Sequence, residues 1–332
     1  MKLSTLRMLN LAFTASLIVA LAISVQLPAQ EQKDVAGSAK HPTIITFDPP
    51  GSVFTNIQAI NPAGAIAGYY FDASGVIHGF LRAPDGTFTT FEAPGAGTGS
   101  IEGTVSFSIN PAGSIAGYVL DANHVRHGFL RDRHGTFTTF DAPGAGTGFF
   151  QGTYVNSINP EGATSGDVFD DNNVSHGFVR APDGTITEFN VSGAGTGPFQ
   201  GTLAGYINPA GTISAPYIDS GGVSHGYLRA ADGTITKYDV PGAGTGSGQG
   251  TIPGCINPAG TIVGNYLDAN NVNHGYVRAP KGEITKIDVP GAGTGPGQGT
   301  TISQSGGSIN PAGAITGNYI DASGVQHGFL RE

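Results

Sequence analysis

Short apolar runs, each closed by a cluster of turn-forming residues, follow one another along nearly the whole chain. One stretch shows the pattern. Val105 to Ile109 is a β-rich run ended by Asn110-Pro111-Ala112-Gly113. Asn first, Pro second and Gly fourth is the preferred chemistry of a type I turn. Ser114 to Leu120 is the next predicted strand, and Gly117 within it is expected to mark the close approach of a neighbouring sheet. Asp121-Ala122-Asn123-His124 turns the chain again, Arg126 to Arg131 forms a third strand and Thr136 to Phe140 a fourth. Elsewhere the third turn reads Pro84-Asp85-Gly86 or Pro182-Asp183-Gly184, again strong turn chemistry. Polar/apolar alternation within the strands is weak, as expected where both faces of a sheet are covered.

The same text recurs. Its Ile-Asn-Pro-(Ala/Glu)-Gly element begins at Ile60, Ile109, Ile158, Ile207, Ile256 and Ile309, and its His-Gly-(Phe/Tyr) element at His78, His127, His176, His225, His274 and His327. Both series step by 49 residues four times and then by 53. Four short strands at this period predict an all-β, six-bladed β-propeller. Residues 1–29 read as a signal peptide, 30–42 as a disordered leader and 43–332 as a single propeller domain. Its blades are expected near 52–92, 101–141, 150–190, 199–239, 248–288 and 301–332. The last copy ends after its third strand, whereas Thr43-Ile44-Ile45-Thr46-Phe47-Asp48 matches the fourth strand Thr87-Phe88-Thr89-Thr90-Phe91-Glu92. Segment 43–48 is therefore expected to complete the last blade and remove its exposed edge.

Composition sharpens this picture. Glycine numbers 54 and proline 21, but at fixed turn positions, and 39% of residues are hydrophobic, so the chain is not a disordered tract. Only 12% are charged and the net charge is −9, with no Lys/Arg block, which argues against nucleic acid as a partner. At the N-terminus Lys2 and Arg7 precede the apolar stretch Leu9 to Val25 and a cleavage region at Leu27-Pro28-Ala29, the pattern of a secretory signal. An uncleaved anchor is the alternative. Secreted or periplasmic location follows, with no membrane attachment after cleavage, and the protein is expected to be a monomer. Cys255 is the only cysteine, so stability must come from packing rather than an internal disulfide.

Ile-Asn-Pro-Ala-Gly, then Ile-x-Gly, then His-Gly-Phe-Leu-Arg resembles bacterial extracellular repeat proteins of the HAF family. Those repeats carry a similar Ile-Asn-x-x-Gly turn and a His-Ala-Phe strand. Here the middle residue is glycine throughout, at Gly79, Gly128, Gly177, Gly226, Gly275 and Gly328. The likeness covers residues 43–332; it implies export and a propeller-like fold, and brings no catalytic residues with it.

The recurring polar residues define the candidate chemistry. Six arginines end the third strand: Arg82, Arg131, Arg180, Arg229, Arg278 and Arg331. Acids recur at Asp72, Asp121, Asp170, Asp219, Asp268 and Asp321. Ion pairs between the two sets, fixing blade register, are one expectation; a ring of arginines offered to anionic ligands is the other. Each motif histidine is expected to hydrogen-bond a neighbouring strand or turn rather than share a metal. Asp170-Asp171-Asn172-Asn173 and Asp268-Ala269-Asn270-Asn271 hint at calcium but lack a recognised calcium-loop spacing, and Asx turns explain them without a cofactor. The Gly-Ala-Gly-Thr-Gly connectors lack the Lys-Ser/Thr of a phosphate loop.

Symmetry breaks are few. His124, Arg126, Arg133 and His134 are expected to form a local basic cluster and, with the six arginines, are the candidate ligand-binding residues. Asp167, Ala215-Pro216 and the extra residues near Thr301 to Ser305 break the pattern elsewhere, without assembling a nucleophile, base and orienter. The expected function is an exported, non-catalytic binding or interaction module for polysaccharide, cell-envelope or protein ligands. The alternative is a secreted propeller hydrolase or lyase with one site at a channel mouth. The chain has no Trp, so sugar stacking would fall to Tyr69, Tyr118, Tyr217, Tyr266 and Tyr319.

Overall fold

The computed structural model describes residues 45–302 and 308–332, and the chain divides into two units, Met1–Asp48 and Pro49–Glu332. The predicted signal segment, the leader and residues 43–44 lie outside the described residues. Of the first unit only Ile45–Asp48 is described, and it lies outside any strand.

The second unit is all strand and turn among its described residues. In the second repeat the strands are Gly103–Ile109, Ile115–Leu120, Arg126–Arg131 and Phe137–Phe140. They form an antiparallel meander whose register pairs Ile109 with Ile115, Leu120 with Arg126 and Arg131 with Phe137. Each turn closes as its residues dictate. The Gly113 N–H donates to the Asn110 carbonyl, and the Asn110 side-chain Oδ1 accepts from the Ser114 N–H at 2.9 Å. The first, third and fifth repeats follow the same order. In the fourth, the first strand breaks into Gly201–Thr202 and Tyr206–Ile207, opposite Pro216, which has no N–H to give the ladder. The sixth keeps Gly299–Ile302, an Ile309–Ile315 bridge, Ile315–Ile320 and Gln326–Arg331, with no fourth strand among the described residues.

Consecutive repeats join by one parallel bridge from the start of a third strand to the first residue of the next repeat, as in Arg126 to Gly152. Glycine is required there. Gly152 has φ of 103°, and a Cβ would lie 2.1 Å from the Arg126 carbonyl oxygen. Gly117 corrects one expectation. Its close approach is within its own sheet, where a Cβ would meet the Val105 carbonyl at 2.1 Å, because the first strand bulges at Phe107 and crowds the second.

The core lies between repeats rather than within them. Ala67, Phe91 and Ala93 of the first pack with Ile109, Ile115, Val119 and Phe129 of the second. Equivalent clusters join the second to the third, the third to the fourth and the fifth to the sixth. Buried asparagines of the Ile-Asn-Pro turns link neighbours too, Asn61 Nδ2 donating to the Asn110 carbonyl and Asn110 Nδ2 to that of Asn159. A single repeat could not bury its faces alone. At the first repeat Ile60 is 66% exposed where its counterpart Ile109 is 8% exposed, and at the last Leu330 lies open. Among the described residues no strand pairing joins the last repeat to the first.

Candidate functional site

The turn between second and third strands places an acid, a histidine and a second acid together in repeat after repeat. Asp121 Oδ1 accepts the N–H groups of Asn123 and Val125, both at 2.8 Å, which holds the turn. Its Oδ2 is left facing His127 Nε2 at 3.6 Å, while His127 Nδ1 meets Asp141 Oδ1 at 2.8 Å. The same unit is Asp72–His78–Glu92, Asp219–His225–Asp239 and Asp268–His274–Asp288. In the third repeat Asn190 replaces the outer acid, 2.9 Å from His176 Nδ1, and in the sixth His327 pairs with Asp321 at 3.3 Å. Tyr70, Tyr217, Tyr266 and Tyr319 stack on the cross-strand histidine at 4.7–4.9 Å between ring centroids.

Asp141 as a hydrogen-bond partner, against a smaller opposing effect of burial, raises the His127 pKa; His78 is raised as well, burial opposing and Glu92 and Asp72 prevailing. The Val76 N–H, with His78 and the Ser74 N–H adding to it, holds Asp72 below the usual carboxylate range. In His78 and His127 the flanking carboxylates thus favour the charged imidazole.

This geometry corrects the expected arginine–aspartate pairs. The recurrent Asp sits at the turn beside the histidine, and the Arg lies at the far end of the same hairpin, where Arg131 pairs in register with Ile115. Instead Arg131, Arg180, Arg229 and Arg278 lie over Phe91, Phe140, Phe189 and Tyr238 of the preceding repeat, at 4.8–5.0 Å from the ring centroids. Arg82 is half-buried and Arg331 exposed. The acids nearest the arginines electrostatically are those of the third turn, as Asp183 is for Arg180. Arg131, Arg180, Arg229 and Arg278 thus join neighbouring repeats through these rings.

The basic cluster is also dispersed. Arg126 is 1% exposed and enclosed by the rings of Tyr118, Phe150, Tyr154 and Phe169, with its Nη1 donating to the Phe150 carbonyl. His124 stacks on Phe149 and lies 3.9 Å from Glu102. Arg133 and His134 bond to each other in the exposed turn at the opposite end of the hairpin. Residues close in sequence part because the antiparallel strand carries them to its two ends. The two calcium-like turns are Asx turns: Asp170 and Asp268 each accept two backbone N–H groups. Among the described residues no three of His, Cys, Asp and Glu converge on a point that could hold a metal ion.

A second constellation surrounds Arg126. The fourth residue of the second strand reads Tyr69, Tyr118, Asp167, Pro216, Asn265 and Asn318, a varied column in an otherwise repetitive chain. Tyr118, Phe107 and Tyr154 pack ring against ring at 4.8–5.7 Å. Asp167, 4% exposed, accepts from Asn156 Nδ2 at 2.8 Å, and Asn156 also donates to the Ala204 carbonyl. Burial pushes the Asp167 carboxyl up to about 7, the Asn156 bond and the charge of Arg126 opposing it. Aligning the repeats column by column would have exposed this group from sequence. Tyr69, Tyr217 and Tyr266 are buried, so they present little ring for a sugar; Tyr118 and Tyr319 are half-buried.

No protein-family model matches the chain, and no curated protein is significantly similar to it. Among solved structures it is similar to virginiamycin B lyase from Staphylococcus aureus, with 13% identity, a TM-score of 0.50 and 82% of each chain covered. A streptogramin B lyase structure matches at 14% identity and TM-score 0.49, over 86% of this chain and 85% of that one. Aleuria aurantia lectin in complex with Fucα1-6GlcNAc matches at 13% and 0.40, over 85% and 93%. At such identities the likeness concerns fold alone, and the fold is a β-propeller.

Proposed function

We propose that this chain is an exported, non-catalytic β-propeller that binds polysaccharide, a cell-envelope component or another protein. One observation carries the reading: groups of catalytic type are internally satisfied. Four of the motif histidines carry a carboxylate on each ring nitrogen. Among the described residues the carboxyl displaced to near neutrality, Asp167, is buried and bonded to Asn156. An enzyme needs a base and a nucleophile open to one substrate. A repeated scaffold instead offers several near-equivalent surfaces to an extended ligand.

The finer architecture belongs to the same proposal. The chain forms six blades, segment 43–48 completes the last, and the variant Ile-Asn-Pro-Ala-Gly and His-Gly-Phe motifs place it with HAF-type repeats. The open third strand Gln326–Arg331 supports this, since every earlier third strand has a fourth beside it. A groove of about 340 Å³ between Lys286–Pro290 and Phe329–Arg331 lies where the missing strand would pack. The signal-like N-terminus supports secretion or delivery to the periplasm.

Calorimetric titration with soluble bacterial and plant polysaccharides, followed by chromatography of the ligand, tests the function. Saturable heat with ligand recovered intact is expected. Shortened or eliminated ligand would establish the hydrolase or lyase reading instead.

A further inference from the structure

Part of the first strand of the fourth repeat is held by side chains instead of by a ladder. Its pairing with the second strand stops after Thr202 and resumes at Tyr206. Between them Leu203, Ala204 and Gly205 lie opposite Ala215 and Pro216, and Pro216 has no N–H to give. The Leu203 carbonyl accepts instead from the Tyr227 hydroxyl, at a position that is Phe80, Phe129 and Phe178 in the first three repeats. The third repeat supplies the other clips. Ser165 Oγ donates to the Gly205 carbonyl at 2.6 Å and Asn156 Nδ2 to the Ala204 carbonyl at 2.8 Å. The Ala204 N–H donates to Asp167, whose Oδ1 also accepts from Asn156 Nδ2 at 2.8 Å.

An acid is a costly choice for this task. Asn265, in the same column two repeats on, performs both halves alone. Its Nδ2 donates to the Ile302 carbonyl at 2.9 Å and its Oδ1 accepts from the Ile302 N–H at 2.6 Å. Ile302 stands two periods of 49 residues after Ala204 and is its counterpart. A carboxylate can only accept, so Asp167 needs Asn156 for the donor half. A buried amide with both bonds made is also cheaper than a buried charge. What the acid adds is titration. Three other chargeable groups bear on it: Arg126 of the second repeat, Tyr154 of the third and Tyr227 of the fourth. Burial holds both tyrosines well above their ordinary value and a guanidinium keeps its charge, so Asp167 is the member of this group that changes charge near neutrality.

We propose that Asp167 is a proton-controlled latch on the joint between the third and fourth repeats, closed on segment 203–205 when neutral and releasing it when ionised. A buried carboxylate is stabilised by gaining water. Water reaches it most cheaply through local opening of three residues that no ladder holds, since unfolding a whole repeat would break far more. Opening withdraws the Asn156 and Ser165 bonds that tie the two repeats together at this strand, so the joint loosens as pH rises through about 7.

The test is hydrogen exchange of the whole protein at pH 5 and pH 8, corrected for intrinsic amide chemistry, on wild type and Asp167→Asn. A carboxyl at about 7 when latched and about 3.8 when open favours the open form roughly a hundredfold more at pH 8 than at pH 5. Protection of residues 203–206 in wild type should fall by about that factor, and in Asp167→Asn by less than about threefold. Gly299–Ile302, clipped by Asn265, should keep its protection in both proteins. Unchanged protection of 203–206 in wild type would overturn the latch, whether or not the variant folds. An equal fall in both proteins would overturn the assignment to Asp167. A fall shared by every strand would be global unfolding and would overturn a local joint.

Discussion

His127 is clamped between two carboxylates, with Nδ1 2.8 Å from Asp141 and Nε2 3.6 Å from Asp121. These three residues come from a strand, the end of the next strand and the turn before both. The clamp therefore ties together three elements of one repeat, and its counterparts do so along the array.

Stability should depend on pH through this clamp. The His127 and His78 pKa values are raised on folding, so their contribution is fully present below about 6.5, the unfolded value, and is lost as pH rises through the folded one. Asp72 and Asp121 are lowered; their contribution is present above about 3.8 and is lost as pH falls through their folded values. With Asp167 replaced by asparagine, which removes its own pH-dependent cost, thermal melts should show highest stability between roughly pH 4 and 6.5. In NMR titration the His127 midpoint should lie above 6.5 and fall on Asp141→Asn. An unchanged midpoint in that variant would remove Asp141 as the cause.

Asp167→Asn should stabilise the protein above neutral pH. A carboxyl held near 7 in the fold and near 3.8 unfolded binds its proton more tightly when folded, so its burden on stability grows as pH rises from about 4 to 7. The upper bound is about 4 kcal/mol. Asparagine can still accept from Asn156 without a charge to bury. Urea melts at pH 5 and pH 8 should show a larger gain at the higher pH; a loss at both would mean that the carboxylate is needed.

Arg126→Ala should cost about 3 kcal/mol, because it empties a space walled by four aromatic rings and leaves the Phe150 carbonyl without its donor. Arg133→Ala, in an exposed turn, should change stability by less than about 0.5 kcal/mol. Similar losses in chemical denaturation would restore the idea of one basic cluster.

A protein beginning after Pro50 should melt lower and less cooperatively than one beginning at Gln30, since the open edge at Gln326–Arg331 would keep no partner. Equal midpoints and slopes in calorimetry would sink the proposed closure by segment 43–48.

Much of the fold was legible from local chemistry. Asn-Pro-Ala-Gly and Pro-Asp-Gly fix their own turns, so the strands of the second repeat fall within a residue or two of where their turns place them. The period of 49 residues implied stacked, mutually dependent units, and the clusters between neighbouring repeats agree with that. Side-chain partnerships were less legible. Arg131 and Asp121 look complementary on paper, but the hairpin register puts them at opposite ends, one over Phe91 and the other beside His127. Similarly Arg126, a basic residue among basic neighbours in sequence, alternates inward on its strand and is enclosed by rings from two repeats.

The sequence by itself determined turns, strand lengths and the repeat, because these depend on residues a few positions apart. Only the tertiary structure decided which charges meet, which aromatics stay exposed and which carboxyl is buried. Those outcomes depend on side chains brought together from adjacent repeats, such as Arg126 with Tyr154, whose separation in the folded protein no local pattern encodes.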